Sequence, residues 1–348
     1  MTAPIEKTLL EKPRRWLVTG AAGFIGSHLV ETLLNNGQFV VGMDNFSTGF
    51  RSNVDQVPVW VGEAAAQRWT FIEGDIRSYE DCVKACQGMD FVLHQAALGS
   101  VPRSIKNPLA THQSNVDGMV NMLLAAKEAA VKRVVYASSS SVYGDSPALP
   151  KHEEVIGEPL SPYALSKRTM ENYSRIYAST LGIDSVGLRY FNVVGSRQSP
   201  DGPYAAVIPR WIEAFSRGNV PVINGDGETS RDFCPVQNVV QANIRAALCA
   251  GNVAGQVYNI ALGGRTTLNT LYKLLRDGMA ERGAPCAETE PRYADFRPGD
   301  IRHSHASIAR AQKDFGYDPQ VTLGQALGMT MDEYLASHGK SSSGIDEA

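Results

Sequence analysis

From Trp16 to about Tyr190, short apolar runs rich in β-branched residues alternate with longer stretches whose apolar positions recur at helical spacing. The short runs predict strands over 16–19, 39–44, 69–73, 91–95, 133–138 and 185–190. The stretches between them predict helices over 25–36, 79–86, 115–130 and 163–181. A parallel sheet with crossover helices follows, because a parallel connection must travel back along the sheet before the next strand begins. After Gly195 the pattern loosens: Gly and Pro recur, helices are predicted over 207–217 and 235–250, and 267–281 and 322–338 are further pieces of a smaller domain. The expected fold is α/β, a Rossmann-type doubly wound parallel sheet with a smaller mixed α/β substrate domain on its C-terminal side. The expected division gives 12–198 and 230–262 to the dinucleotide domain and 199–229 and 263–340 to the smaller one. The polar tail 341–348 is expected to be disordered.

Composition narrows the function classes. With 33 basic and 36 acidic side chains the net charge is −3, which gives no field for nucleic acid or a membrane surface. The first 15 residues lack a signal-peptide core and no apolar run is long enough for a bilayer, so a cytoplasmic protein is expected. Five scattered cysteines do not suggest a disulfide framework. Cys82 and Cys86 share a helix face, yet no second Cys/His pair stands at ligand spacing, so no metal is expected and both read as buried thiols.

The first predicted strand runs into Gly20-Ala21-Ala22-Gly23-Phe24-Ile25-Gly26, and an apolar-periodic helix follows at once. Glycines at these positions allow a tight turn, backbone approach to a diphosphate, and close packing of helix on strand. The helix N-terminus then offers free amides to the anion. A glycine triplet alone also fits a structural turn. Asp44, at the end of the second strand and about 20 residues on, suits a ribose carboxylate and disfavours a 2′-phosphate. NAD is therefore expected rather than NADP, with Arg51 nearby as the one feature against it. Asp75-Ile76, after the third strand, stands where adenine would be contacted, or is an exposed turn.

Tyr163 and Lys167 lie four residues apart on one predicted helix face, after a helix start at Ser161-Pro162. Taken alone such a pair is commonly a surface pair. Here it follows both the glycine fingerprint and a strand ending in Ser138-Ser139-Ser140-Ser141, at the sheet edge where open α/β proteins bind ligands. A tyrosine serving as a base near pH 7 needs about 4 kcal/mol of phenolate stabilisation. A neighbouring ammonium and an oxidised nicotinamide could supply it.

These residues in this order resemble the extended short-chain dehydrogenase/reductases that act on nucleotide sugars. The resemblance runs from Thr19-Gly20 through Asp44, Asp75, His94-Gln95-Ala96-Ala97, Asn115, the serine run, Tyr163 and Lys167, and Arg189-Tyr190-Phe191-Asn192. It continues to Arg231-Asp232-Phe233 and Arg297-Pro298-Gly299-Asp300. Within that family it is most similar to the UDP-hexose 4-epimerases, in particular the bacterial UDP-N-acetylglucosamine 4-epimerases.

The resemblance implies Ser139, Tyr163 and Lys167 as catalytic residues. It implies cofactor contacts from Gly20, Gly23, Phe24, Ile25, Gly26, Asp44, Asn45, Asp75, Ile76, Gln95, Ala96, Ala97, Asn115, Tyr163, Lys167 and Tyr190. For the UDP-sugar it implies Ser100, Ser139, Ser140, Ser141, Tyr163, Asn192, Gln198, Ala206, Val207, Arg231, Arg297, Asp300 and Ser304. Dehydratase relatives carry Asp-Glu after the catalytic hydroxyl, where this chain has Ser140 and Ser141, so oxidation at C4 is expected to lead only to reduction again. Ser304 stands where galactose-specific relatives carry a tyrosine, which leaves room for an N-acetyl group. The implied product is the C4 epimer, reached through a transient 4-keto sugar with recycled NAD. A homodimer packed through 115–130 and 163–181 is implied too. Epimerisation of another UDP-sugar, UDP-glucose or UDP-glucuronate, and a non-catalytic NAD-binding regulator are the alternatives.

Overall fold

The computed structural model describes residues 5–199, 206–285, 290–296 and 301–338. Seven parallel strands form the central sheet: β1 (Arg15–Thr19), β2 (Phe39–Asp44), β3 (Trp69–Glu73), β4 (Phe91–His94), β5 (Arg133–Ser139), β6 (Ser185–Tyr190) and β7 (Val257–Ile260). Their spatial order is β7-β6-β5-β4-β1-β2-β3. β1 pairs with β2 on one side, Trp16 opposite Val40, and with β4 on the other, Trp16 opposite Phe91. Successive connections therefore leave β1 in opposite directions, which opens a crevice at its C-terminal end.

The period-two alternation within each strand divides the core. Trp16, Val18, Val135 and Ala137 join one apolar layer with Leu29 and Leu33 of the helix Phe24–Asn35 and Val239 and Ala246 of Val236–Leu248. Leu17, Val134 and Tyr136 join the other, with Cys82 and Cys86, Met119 and Leu123, and Met170 of the helix Pro162–Leu181. Both faces are covered, so the strands are near-continuous apolar runs. β3, at the edge, is only partly buried.

A third apolar cluster lies beyond the sheet. It unites Trp211 and Phe215 of the helix Val207–Ser216, Tyr272 and Met279 of Leu268–Glu281, and Leu327 and Met331 of Leu323–His338. The helix Ala309–Phe315 instead packs back on β7, where the Phe315 and Tyr258 rings meet at 4.9 Å.

β7 is absent from the strands expected from the pattern. Its Asn259 interrupts the apolar run yet is fully buried, because Tyr143 donates to its Oδ1 at 2.6 Å and its Nδ2 donates to the Lys151 carbonyl at 3.0 Å. The helix expected over 115–130 opens instead with a π-helical stretch, Gln113–Asp117, before the α-helix Gly118–Glu128. The tail 341–348 lies outside the described residues.

Candidate active site

The glycine loop joins β1 to the helix Phe24–Asn35 at the crevice. Gly20 sits at φ +69, and a Cβ there would meet the Ala96 amide nitrogen at 2.8 Å; a Cβ on Gly26 would lie 2.0 Å from the Gly20 carbonyl oxygen. Backbone therefore passes backbone where no side chain fits. Gly23 caps the helix and no side chain satisfies its first turn, so that turn is free to hold an anion. A cavity of about 350 Å³ opens in front of it, lined by Gly20, Gly23, Phe24, Ile25, Gly26, Asp44, Asn45, Asp75, Ile76, Gln95, Ala96, Ala97, Tyr163, Lys167 and Tyr190. These residues fit a dinucleotide.

Asp44 also braces the loop, accepting from the amides of Ala22 at 3.0 Å and Phe46 at 2.8 Å. Burial nonetheless raises its pKa, and those amides offset only part of the shift. Asp75 is the opposite case: Arg77 chelates it and holds its carboxyl at about 2, while Asn45 donates to it at 2.9 Å. Arg51 pairs with Glu73 at 2.7 Å. Asn115 does not line this cavity. It is fully buried, bonded to both backbone groups of Leu98 and to Ser166 Oγ at 2.9 Å, and Ser166 Oγ in turn donates to the Tyr163 carbonyl at 2.8 Å. Through Ser166 it is tied to the helix of Tyr163. Ser114 beside it lines the cavity, as do Ser47 and Thr48, none of which the sequence singled out, and Ser138 of the serine run.

The helix Pro162–Leu181 begins where Ser161 Oγ accepts from the Ala164 amide at 3.1 Å. That start places Tyr163 where Ser139, at the end of β5, acts to lower the pKa of its phenol. Lys167 is buried, and its Nζ donates to the Ala137 carbonyl at 2.7 Å. Burial raises the Tyr163 phenol, and Ser139 offsets only part of this. Burial also pushes Lys167 down to about 7, opposed by the Glu171 carboxylate. At Tyr163 burial therefore outweighs the lowering influence of the protein groups, and the expectation gave the stabilisation to the ammonium and an oxidised nicotinamide together.

A second cavity, of about 840 Å³, opens on the other side of Tyr163. Ser100, Asn192, Gln198, Ala206, Val207 and Arg231 line it as expected. Ser100 and Asn192 are held at φ 89 and φ 26, left-handed values that are costly for side chains other than glycine. Arg231 Nη1 donates to the Ser230 carbonyl at 3.0 Å. Arg210, Trp211, Asn224, Thr229 and Phe233 complete the wall. Sequence reasoning missed them, although Phe233 lies two residues from Arg231 in the quoted motif.

Ser139, Ser140 and Ser141 line neither cavity; Ser140 and Ser141 enter the 3-10 turn Ser140–Tyr143, and Ser139 Oγ accepts from the Ser141 amide at 3.1 Å. Ser304 lines neither cavity. Its amide donates to the Ser230 carbonyl at 3.0 Å, which sets it beside the strand of Arg231. Arg297 and Asp300 lie outside the described residues. Among the described residues no group of His, Cys, Asp and Glu could hold a metal, and no helix is long and apolar enough to cross a membrane.

A family model described as the NAD dependent epimerase/dehydratase family matches residues 16–261. A UDP-glucose 4-epimerase of Mycolicibacterium smegmatis is 36% identical, over 91% of this chain and 97% of that protein. The structure of a UDP-N-acetylglucosamine 4-epimerase of Methanobrevibacter ruminantium, in complex with UDP-N-acetylmuramic acid, superposes with a TM-score of 0.85 at 37% identity, covering 94% of this chain and 99% of that one. A UDP-glucuronic acid 4-epimerase of Bacillus cereus, in complex with UDP-glucuronic acid and NAD, superposes with a TM-score of 0.81 at 29% identity, over 93% and 100% of the two chains.

Proposed function

Since the chain belongs to the NAD dependent epimerase/dehydratase family, we propose that it inverts C4 of UDP-N-acetylglucosamine and UDP-N-acetylgalactosamine, with NAD as its recycled cofactor. One observation carries the reading: Tyr163 lines both the dinucleotide cavity and the larger cavity beside it. A group that reaches both is the group through which a cofactor and a sugar can be coupled.

NAD, when bound, supplies an acceptor for the C4 hydride and gives the hydride back. The protein moves the proton. Tyr163 takes it from the 4-hydroxyl and later returns it, and Ser139 hydrogen-bonds the same oxygen. Lys167, fixed by the Ala137 carbonyl, adds positive charge beside the phenolate when it is protonated. Arg231 and Arg210 give the larger cavity cations suited to a diphosphate, which anchors the substrate while the hexose turns over. No carboxylate follows Ser139 in the chain, so elimination of the 6-hydroxyl has no acid at that position.

The preference for acetylated sugars is supported by the N-acetylglucosamine epimerase among the similar structures. A second reading, a UDP-glucuronate 4-epimerase, is favoured by Arg210, a cation that could face a C6 carboxylate. The test is to mix the protein, without added cofactor, with UDP-N-acetylglucosamine, UDP-glucose and UDP-glucuronate separately and to resolve the C4 epimers by NMR. Fastest conversion of the acetylated sugar is expected. Preference for the glucuronate would support the second reading, and bound NAD without any turnover would point to a non-catalytic regulator.

A further inference from the structure

Tyr163, Lys167 and Glu171 follow one another at a spacing of four along the helix Pro162–Leu181 and so stack on one face. Two of them engage the end of β5: Lys167 donates to the Ala137 carbonyl at 2.7 Å, and Ser138 Oγ donates to Glu171 Oε1 at 2.5 Å. Glu171 is buried and takes a two-pronged grip from Arg189 on β6, with Nε at 2.9 Å and Nη2 at 2.8 Å. Arg189 is held in turn by the Tyr143 hydroxyl at 3.0 Å and the Glu153 carbonyl at 2.9 Å.

The reaction proposed above uses the first two side chains of this stack and leaves the third without a task. Stability is a poor reason for it, because desolvating two charges roughly cancels their attraction; the best-attested use of a buried polar pair is to fix register. A one-residue slip of this helix would turn the phenol about 100° away from both cavities.

We propose that Glu171 is a positioning residue for that reaction: clamped between Ser138 and Arg189, it sets the register of the helix against the end of β5 and faces Lys167 with a negative charge. The inference rests on the reading of Tyr163 and Lys167 as the reacting pair. The charge matters because burial favours the neutral lysine and Glu171 is the group that opposes it. The other titratable groups facing this stack are Arg189 with Tyr143 and Glu153 beyond it, Tyr136 on β5, and His94 on β4, which burial keeps neutral.

The test compares wild type, Glu171→Gln and Ser138→Ala as holoenzymes, measuring kcat and KM across pH together with NAD retention. Glu171→Gln keeps the shape and removes the charge. It is expected to retain NAD and the wild-type KM, to lose kcat on the order of 10- to 100-fold, and to show the alkaline limb of its kcat profile at lower pH. A folded Glu171→Gln with wild-type kcat and pH profile overturns the proposal. If that variant does not fold because Arg189 is left unpaired, Ser138→Ala decides, since its ion pair is intact. A loss of about tenfold in kcat at constant KM supports the proposal, and unchanged kcat overturns it. Absence of turnover by the wild type on every UDP-sugar would instead refute the function itself and the positioning role with it.

Discussion

Tyr163 starts from an unfavourable position for a base. Burial raises its phenol and also lowers its lysine partner, opposed there by the Glu171 carboxylate. In the proposed reaction the positive nicotinamide of bound NAD shares with Lys167 the roughly 4 kcal/mol that a neutral-pH phenolate needs. Tyr163→Phe is expected to lower turnover on the order of 10²- to 10⁴-fold while bound NAD is retained, as read by single-turnover assays and cofactor absorbance. Normal turnover in that variant would dismiss Tyr163 as the base. Gly26→Ala tests the loop: with a Cβ set 2.0 Å from a carbonyl oxygen, backbone has to move, and NAD affinity measured by calorimetry should fall at least about tenfold. At this scale the sequence was legible for the glycines, Tyr163 and Lys167, whose spacing is itself the signal. It was not legible for Asn115 or the later serines. Whether a polar side chain faces a ligand or a neighbouring backbone depends on long-range packing, and Asn115 turned inward to Leu98 and Ser166.

Among the elements, strands buried on both faces announced themselves as continuous β-branched runs, and six of the seven could be read directly. β7 escaped because its Asn259 looks like a break until Tyr143 and Lys151 are brought to it from more than a hundred residues away. The π-helical stretch Gln113–Asp117 has no periodic signature of its own, yet it carries Asn115 toward Leu98. The short helices Val101–Lys106 and Pro108–His112 were missed for lack of length. They pack on the helix Pro162–Leu181 and carry exposed Ile105 and Leu109, and that helix carries exposed Leu165 and Ile176. Leu165 and Ile176 are eleven residues apart and share a face. A homodimer closing over this face is the arrangement we propose. Sedimentation should give a dimeric mass that Leu165→Lys shifts toward the monomer, whereas a monomeric wild type at micromolar concentration would reject it.

Across the whole molecule, burial of two neutral histidines ties stability to pH. His28 and His94 are both pushed down to about 3, chiefly by burial, against an ordinary value of 6.5. The unfolded chain therefore binds more protons than the folded one between those values, and stability present above pH 6.5 is lost as pH falls toward 3. Each histidine contributes at most about 1.4 kcal/mol per pH unit. Asp232, raised to about 6 by burial, and Asp44, raised by the same cause, act in the opposite sense, but only below their own pKa values, whereas both histidines act from pH 6.5 downward. Denaturant midpoints should fall from pH 7 to pH 5, with a shallower slope in His28→Gln; a midpoint independent of pH would contradict this. The whole-molecule plan, a doubly wound sheet with an added apolar cluster beside its C-terminal crevice, was readable from periodicity. The return of the helix Ala309–Phe315 to β7 was not, because only the packing of Tyr258 on Phe315 reveals it.

The central claim is that one hydrogen leaves C4 as hydride and comes back to the same carbon from the other side while Tyr163 carries only the proton. The direct measurement is to supply a UDP-sugar deuterated at C4 in ordinary water and follow the label by NMR as the epimer forms. The epimer is expected to keep its deuterium at C4. Epimer carrying solvent hydrogen at C4 would contradict it.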